Sequence, residues 1–185
     1  MGFVDRFAVS HFSGASVVAH YSGPSDMVAR LSLFPGAVAR ALFPKLSYSK
    51  SKDAHSVYHR TLWSVFLFSI LLATPFFMFS SEILGLWLGK EYMGDAAQIF
   101  KILLLGFVFN SVAQICFAKI QSAGHAKWTG IVHIIEFFPY LAILYYLTTT
   151  YSIFGAAVAF LLRTFADFLI LFYVEKFGIR MKTGG

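Results

Sequence analysis

Charge is what this sequence has least of. Only 13% of its 185 residues are Asp, Glu, Lys or Arg, while 58% are hydrophobic, against roughly 25% charged residues in soluble domains. A soluble domain of this length would expose large apolar patches if it carried 22 Phe and 9 Tyr, so lipid is the natural solvent. A single cysteine, Cys116, excludes an intramolecular disulfide and a thiolate metal site, and its apolar run marks it as a packing residue. P-loop, Rossmann, HExxH and GxSxG patterns are all missing, and no nucleophile or acid/base pair stands out, so neither an enzyme nor a cofactor is expected. The net charge of +6 is spread over short polar segments and the C-terminus, without a basic stripe on a polar domain, so no nucleic-acid partner is expected. A signal peptide is also not visible, which leaves insertion to the spans themselves.

Long uncharged runs are what the sequence does have. Thr61 to Ser81 lies between Arg60 and Glu82 without a formal charge, long enough for a hydrocarbon core of about 30 Å; Pro75 is expected to kink it. Further spans are predicted over about 96–118, with Lys101 snorkelling near its start, then 128–147 and 153–174, the last two joined by a tight turn at 148–152. The four strong spans together make up a region 61–174. Residues 21–44 are less apolar, with Asp26, Arg30 and Arg40 among the hydrophobic positions. They predict an amphipathic transmembrane helix bent at Pro35-Gly36, with an interfacial helix as the competing reading. Residues 1–20 look like the remnant of a truncated helix and loop, 45–60 like a basic loop, and 175–185 like a tail. The expected fold class is therefore all-α, a polytopic transmembrane bundle of about five spans.

The basic residues give a sidedness. Lys45, Lys50, Lys52, Arg60, Lys119, Lys127, Lys176, Arg180 and Lys182 fall on alternate connections, nine on one side, while Lys90 is alone on the other. By the positive-inside rule the nine-charge face, with the C-terminus, is cytoplasmic, in the inner membrane. Trp63, Trp87 and Trp128 stand near span ends, as interfacial anchors do.

Ionisable groups inside the spans are the candidate functional residues, because an unpaired charge at that depth is costly and such groups face the bundle interior. Glu136 has His133 one turn before it, and Arg163 precedes Asp167 by one turn. They either line a transport path or neutralise one another structurally. Asn110 and Gln114, with Gln121 roughly on the same face, line a cavity or bond to neighbouring helices. Arg30 and Arg40 suit an anion, since a guanidinium grips phosphate oxygens in pairs; a cytoplasmic-edge anchor is the other reading of Arg40. His55 and His59 have helical spacing but no converging ligands, so no metal site is expected. Ala37 and Ala41, and Gly155 and Ala159, have the small-residue spacing of close helix contacts.

Several strings carry a resemblance. Leu33-Phe34-Pro35-Gly36-Ala37-Val38-Ala39-Arg40-Ala41-Leu42-Phe43-Pro44 is the fullest, supported in order by Asp5-Arg6-Phe7, Trp87-Leu88-Gly89, Gln121-Ser122-Ala123-Gly124 and Tyr151-Ser152-Ile153-Phe154-Gly155-Ala156-Ala157. They resemble the polysaccharide-biosynthesis, O-antigen type branch of the multidrug/oligosaccharidyl-lipid/polysaccharide exporter superfamily. That resemblance implies a flippase for lipid-linked oligosaccharide repeat units used in lipopolysaccharide and other surface polysaccharides. Family members have two bundles, so the chain is read as the second, C-terminal one, and the first, N-terminal bundle becomes an expected partner beside membrane lipid. The implied substrate is a polyprenyl-diphosphate-linked oligosaccharide. Arg30 and Arg40 would then attract the diphosphate, while Glu136, Arg163 and Asp167 line or brace the cavity and couple to a cation. The alternatives are half of a cation-coupled multidrug exporter, or a membrane scaffold or truncated product that transports nothing.

Overall fold

The computed structural model describes residues 5, 9–10, 15–48 and 51–178, and the described residues contain no strand. In order, the helices are α1 (Ala15–Leu31), α2 (Leu33–Tyr48), α3 (Ser51–Met78), α4 (Ser80–Trp87), α5 (Asp95–Ser122) and α6 (Ala126–Tyr173). A 3-10 turn (Lys90–Met93) precedes α5, and a π turn (Val174–Gly178) follows α6. The fold is all-α because lipid offers no partner for backbone N–H and C=O groups, which the helix satisfies internally. Among the described residues, three stretches are long and apolar enough to cross a membrane: Asp53–Met78, Asp95–Ser122 and Ala126–Lys176.

Two expectations need correction. Residues 21–44 are not one helix bent at Pro35-Gly36: α1 and α2 meet at Ser32. Pro35 has no amide to offer the carbonyl of Leu31, so the helix opens one turn before the proline. The flanking bonds, Ser32 N–H to the Val28 carbonyl at 3.0 Å and Gly36 N–H to the Ser32 carbonyl at 3.2 Å, survive. Neither α1 nor α2 alone is among the stretches long and apolar enough to span. Residues 45–60 are not a loop either, since α2 reaches Tyr48 and α3 starts at Ser51. No Gly or Pro interrupts the chain between Pro44 and Pro75, and Asp53 in the first turn of α3 suits the helix dipole. This stretch also has an apolar face to bury. Ala54, Tyr58 and Leu62 pack into a cluster with Ile115, Cys116 and Leu171, and the Tyr58 hydroxyl lies 3.5 Å from the Cys116 sulfur.

Helix α5 is the central post. Buried residues make up 61% of its apolar window, against 22% in each of the other two spanning stretches, and α1, α2, α3 and α6 all pack on it. Ile99, Phe100, Leu103, Leu104 and Phe107 form the centre of one core cluster, with Ala156, Ala157 and Ala159 of α6 against them. Lipid-facing sides remain apolar: Leu71, Ile134, Ile135 and Phe138 are each more than 60% exposed, which is unremarkable only where the surroundings are hydrocarbon. Trp63, Trp87 and Trp128 are also exposed.

Helix α6 folds back on itself. Its backbone leaves helical geometry at Ser152 (φ 54°, ψ −132°), and His133 Nδ1 lies 3.7 Å from Asp167 Oδ1. An unbroken helix would hold residues 34 apart at roughly 50 Å. The arms 126–151 and 153–173 therefore run back to back. Gly155 makes the contact possible, because a Cβ there would run into the carbonyl of Leu147. Opposite effects follow for two substitutions. Ser152→Gly removes left-handed backbone strain of about 1 kcal/mol and should raise the thermal midpoint in detergent. Gly155→Ala should lower it, and differential scanning fluorimetry on both variants checks the signs.

Candidate functional site

The polar centre is assembled from three elements. Asn110 and Gln114 stand one turn apart on α5, the first arm of α6 supplies His133 and Glu136, and the second supplies Arg163 and Asp167. Asn110, Gln114, His133, Arg163 and Asp167 line a cavity of about 240 Å³, with Phe117 and Leu171 completing its apolar wall. The ring of Phe117 lies 5.7 Å from that of His133. His133 Nδ1 is 3.7 Å from Glu136 Oε2 and 3.7 Å from Asp167 Oδ1. These gaps are too long for hydrogen bonds. His133 Nδ1, both Glu136 oxygens and Asp167 Oδ1 are buried without a hydrogen-bond partner among the described residues. The ligand atoms of His133, Glu136 and Asp167 lie within 4.8 Å of one another, close enough for the three to share one ion. Spacing along the sequence hid this set, because Asp167 joins the others only through the reversal at Ser152.

Arg163 links this group to a second one. Its guanidinium carbon lies 5.0 Å from the centre of the Tyr140 ring, and the Tyr140 hydroxyl donates to the buried carboxylate of Asp5. No pattern along the chain singles out either Tyr140 or Asp5 as a site residue. An acid that is 2% exposed and a tyrosine 135 positions away have no local pattern that would join them. On the far side of the α6 hairpin, Glu136, Tyr140 and Arg163 also border an apolar groove of about 220 Å³ with Pro139, Ile143 and Leu162.

The structure separates the two arginines. Arg40 lines a neighbouring cavity of about 200 Å³ with Phe43, Phe117 and Gln121. It converges with Gln114 over Gly36, where a Cβ would lie 3.0 Å from Gln114 Oε1 and 3.5 Å from Arg40 Nη1. Gly36 thus leaves room for both polar ends, and Phe117 belongs to the walls of both cavities. Arg30 lines neither cavity; its guanidinium sits 5.6 Å from the centre of the Trp87 ring, a cation–π contact. His55 and His59 form an exposed pair with Nε2 atoms 3.1 Å apart.

Residues 1–147 match the family model described as MatE. A Shigella flexneri protein named "Putative O-antigen transporter" is 37% identical over 172 residues, 92% of this chain. The chain spans 41% of the length of that relative. No solved structure matches.

The Asp5–Tyr140 contact gives a direct prediction. Tyr140→Phe removes one hydrogen-bond donor from a buried carboxylate, which costs on the order of 1–3 kcal/mol. The variant should melt earlier than the parent in detergent, while Tyr146→Phe, at an exposed position, should change the midpoint much less.

Proposed function

Since the chain belongs to the MatE family, we propose that it forms one half of a membrane flippase, carrying lipid-linked oligosaccharide repeat units across the cytoplasmic membrane for surface polysaccharide synthesis. The observation that carries this reading is a row of polar groups on two neighbouring cavities of an otherwise apolar bundle, the exposed Arg40 on one and Gln114, Asn110, His133, Arg163 and Asp167 on the other. A substrate of this class has an anionic diphosphate, a hydroxyl-rich sugar and an apolar tail. Arg40 grips the diphosphate through paired N–H donors. Asn110 and Gln114 offer amide donors and acceptors to sugar hydroxyls. The apolar outer faces remain for the polyprenyl chain and membrane lipid. Arg30, over Trp87, serves as a second anion contact on the substrate's way in or out.

Glu136, His133, Arg163 and Asp167 brace the cavity wall and are where a coupling cation would act. The nine-charge face and the C-terminus are cytoplasmic in this reading. A second helical bundle, corresponding to the part of the Shigella flexneri relative that this chain does not match, completes the cavity, since rocking one bundle against another gives alternating access.

A chimera tests the proposal. The matched part of the Shigella flexneri protein is replaced by this chain and expressed in a strain lacking its O-antigen flippase. Restored surface polysaccharide is expected, and Arg40→Ala should weaken substrate binding about tenfold or more, with a corresponding fall in surface polysaccharide. An inserted, stable chimera that restores none contradicts the flippase reading. Full output from Arg40→Ala removes Arg40 from the site.

A further inference from the structure

The group around His133 has more negative charge than the protein around it balances. Two carboxylates with buried oxygens, Glu136 and Asp167, face His133, with the Arg163 guanidinium on the same walls. With His133 neutral, this is a formal excess of one negative charge in the interior of the bundle, where uncompensated charge is expensive. The donor atoms also lack partners. The Glu136 side chain is only 9% exposed, yet both of its oxygens, Asp167 Oδ1 and His133 Nδ1 make no hydrogen bond among the described residues.

We propose that His133, Glu136 and Asp167 form a binding site for a divalent transition-metal ion that takes mixed nitrogen and oxygen ligands, such as Zn²⁺ or Mn²⁺, and that the ion clamps the two arms of α6 together. The spacing fits. Ligands about 2.1 Å from a tetrahedral ion lie about 3.4 Å from each other, so the two 3.7 Å separations from His133 need to close by only a few tenths of an ångström, and the whole set already lies within 4.8 Å. Hydrogen-bonded side chains would sit closer, and ion-repelled ones farther. The ligand types select the class of ion: Mg²⁺ and Ca²⁺ take cages of oxygens, whereas an imidazole with two carboxylates suits the borderline metals. A bound cation also offsets the formal excess of negative charge. His133, with its side chain 35% exposed, lies on the cavity side with Asn110 and Gln114, so the fourth position opens toward the cavity. The inference rests on the proposed reading only in taking that cavity as open to water; ion binding itself requires no transport.

The test uses the full chain purified in detergent with His55→Ala and His59→Ala, because that exposed pair, Nε2 atoms 3.1 Å apart, would chelate metal by itself. Zn²⁺ and Mn²⁺ are titrated by calorimetry, with Co²⁺ absorption reporting the ligand field. One saturable equivalent is expected, together with a thermal midpoint that rises with metal concentration. His133→Ala should weaken affinity by more than the roughly 10–100-fold that loss of an outer-shell partner brings. Glu136→Gln and Asp167→Asn, nearly unchanged in shape, should do the same if His133→Ala fails to fold. No saturable binding by the histidine-pair variant, or binding undiminished by Glu136→Gln and Asp167→Asn, overturns the proposal. Surface polysaccharide from the chimera is a separate readout and bears on the flippase reading alone.

Discussion

The packing of the two arms of α6 against each other decides where the ionisable side chains of this bundle can go. Hydrocarbon cannot solvate His133, Glu136, Arg163 or Asp167, so each has to meet a partner or a cavity inside the protein. Reversal at Ser152 brings Asp167 back to within 3.7 Å of His133, and α5 supplies the third wall with Asn110 and Gln114. The reversal needs a residue with positive φ followed by a position without a Cβ, and Ser152 and Gly155 provide these within four residues. Small residues then keep the second arm close to α5: Ala156, Ala157 and Ala159 are fully buried. Without this contact the charges would face lipid and the cavity would have no wall.

The site is therefore a consequence of helix packing more than of any motif. One side of the hairpin opens on the polar cavity, the other on an apolar groove, and Arg163 borders both. The polar strip continues past Gln114 to Arg40 because Gly36 has no side chain to block it. The proposed substrate, with a charged head, a polar body and an apolar tail, matches that sequence of environments. The chain covers 41% of its Shigella flexneri relative, and the proposed rocking mechanism needs a second bundle to complete the cavity.

The strongly apolar helices were legible because lipid imposes one simple rule, about 20 apolar residues per crossing, and the sequence between Arg60 and Val174 obeys it. Legibility failed where the rule is mixed with others. Residues 45–60 read as a loop by charge, but charge does not break a helix, and Tyr58 and Leu62 had a buried face to reach. The break at Ser32 was displaced from Pro35 by one turn because a proline acts on the carbonyl behind it. Within the site, i and i+3 or i+4 pairs such as His133 with Glu136 were readable from spacing, as was the i+4 relation of Asn110 to Gln114. Contacts between elements were not: Asp5 with Tyr140, Gln114 with Arg40 over Gly36, and His133 with Asp167 depend on how helices cross, which periodicity within one helix does not encode.

The back-to-back arrangement of the α6 arms is best tested by one distance. Cysteines replacing His133 and Asp167 in a Cys116→Ser background, labelled with spin labels in detergent or reconstituted bilayers, report the separation of the arms by electron paramagnetic resonance. Strong dipolar broadening from labels in near contact is the predicted result. A distance of roughly 50 Å, that of an unbroken helix, would contradict the fold, the cavity and the charge cluster together.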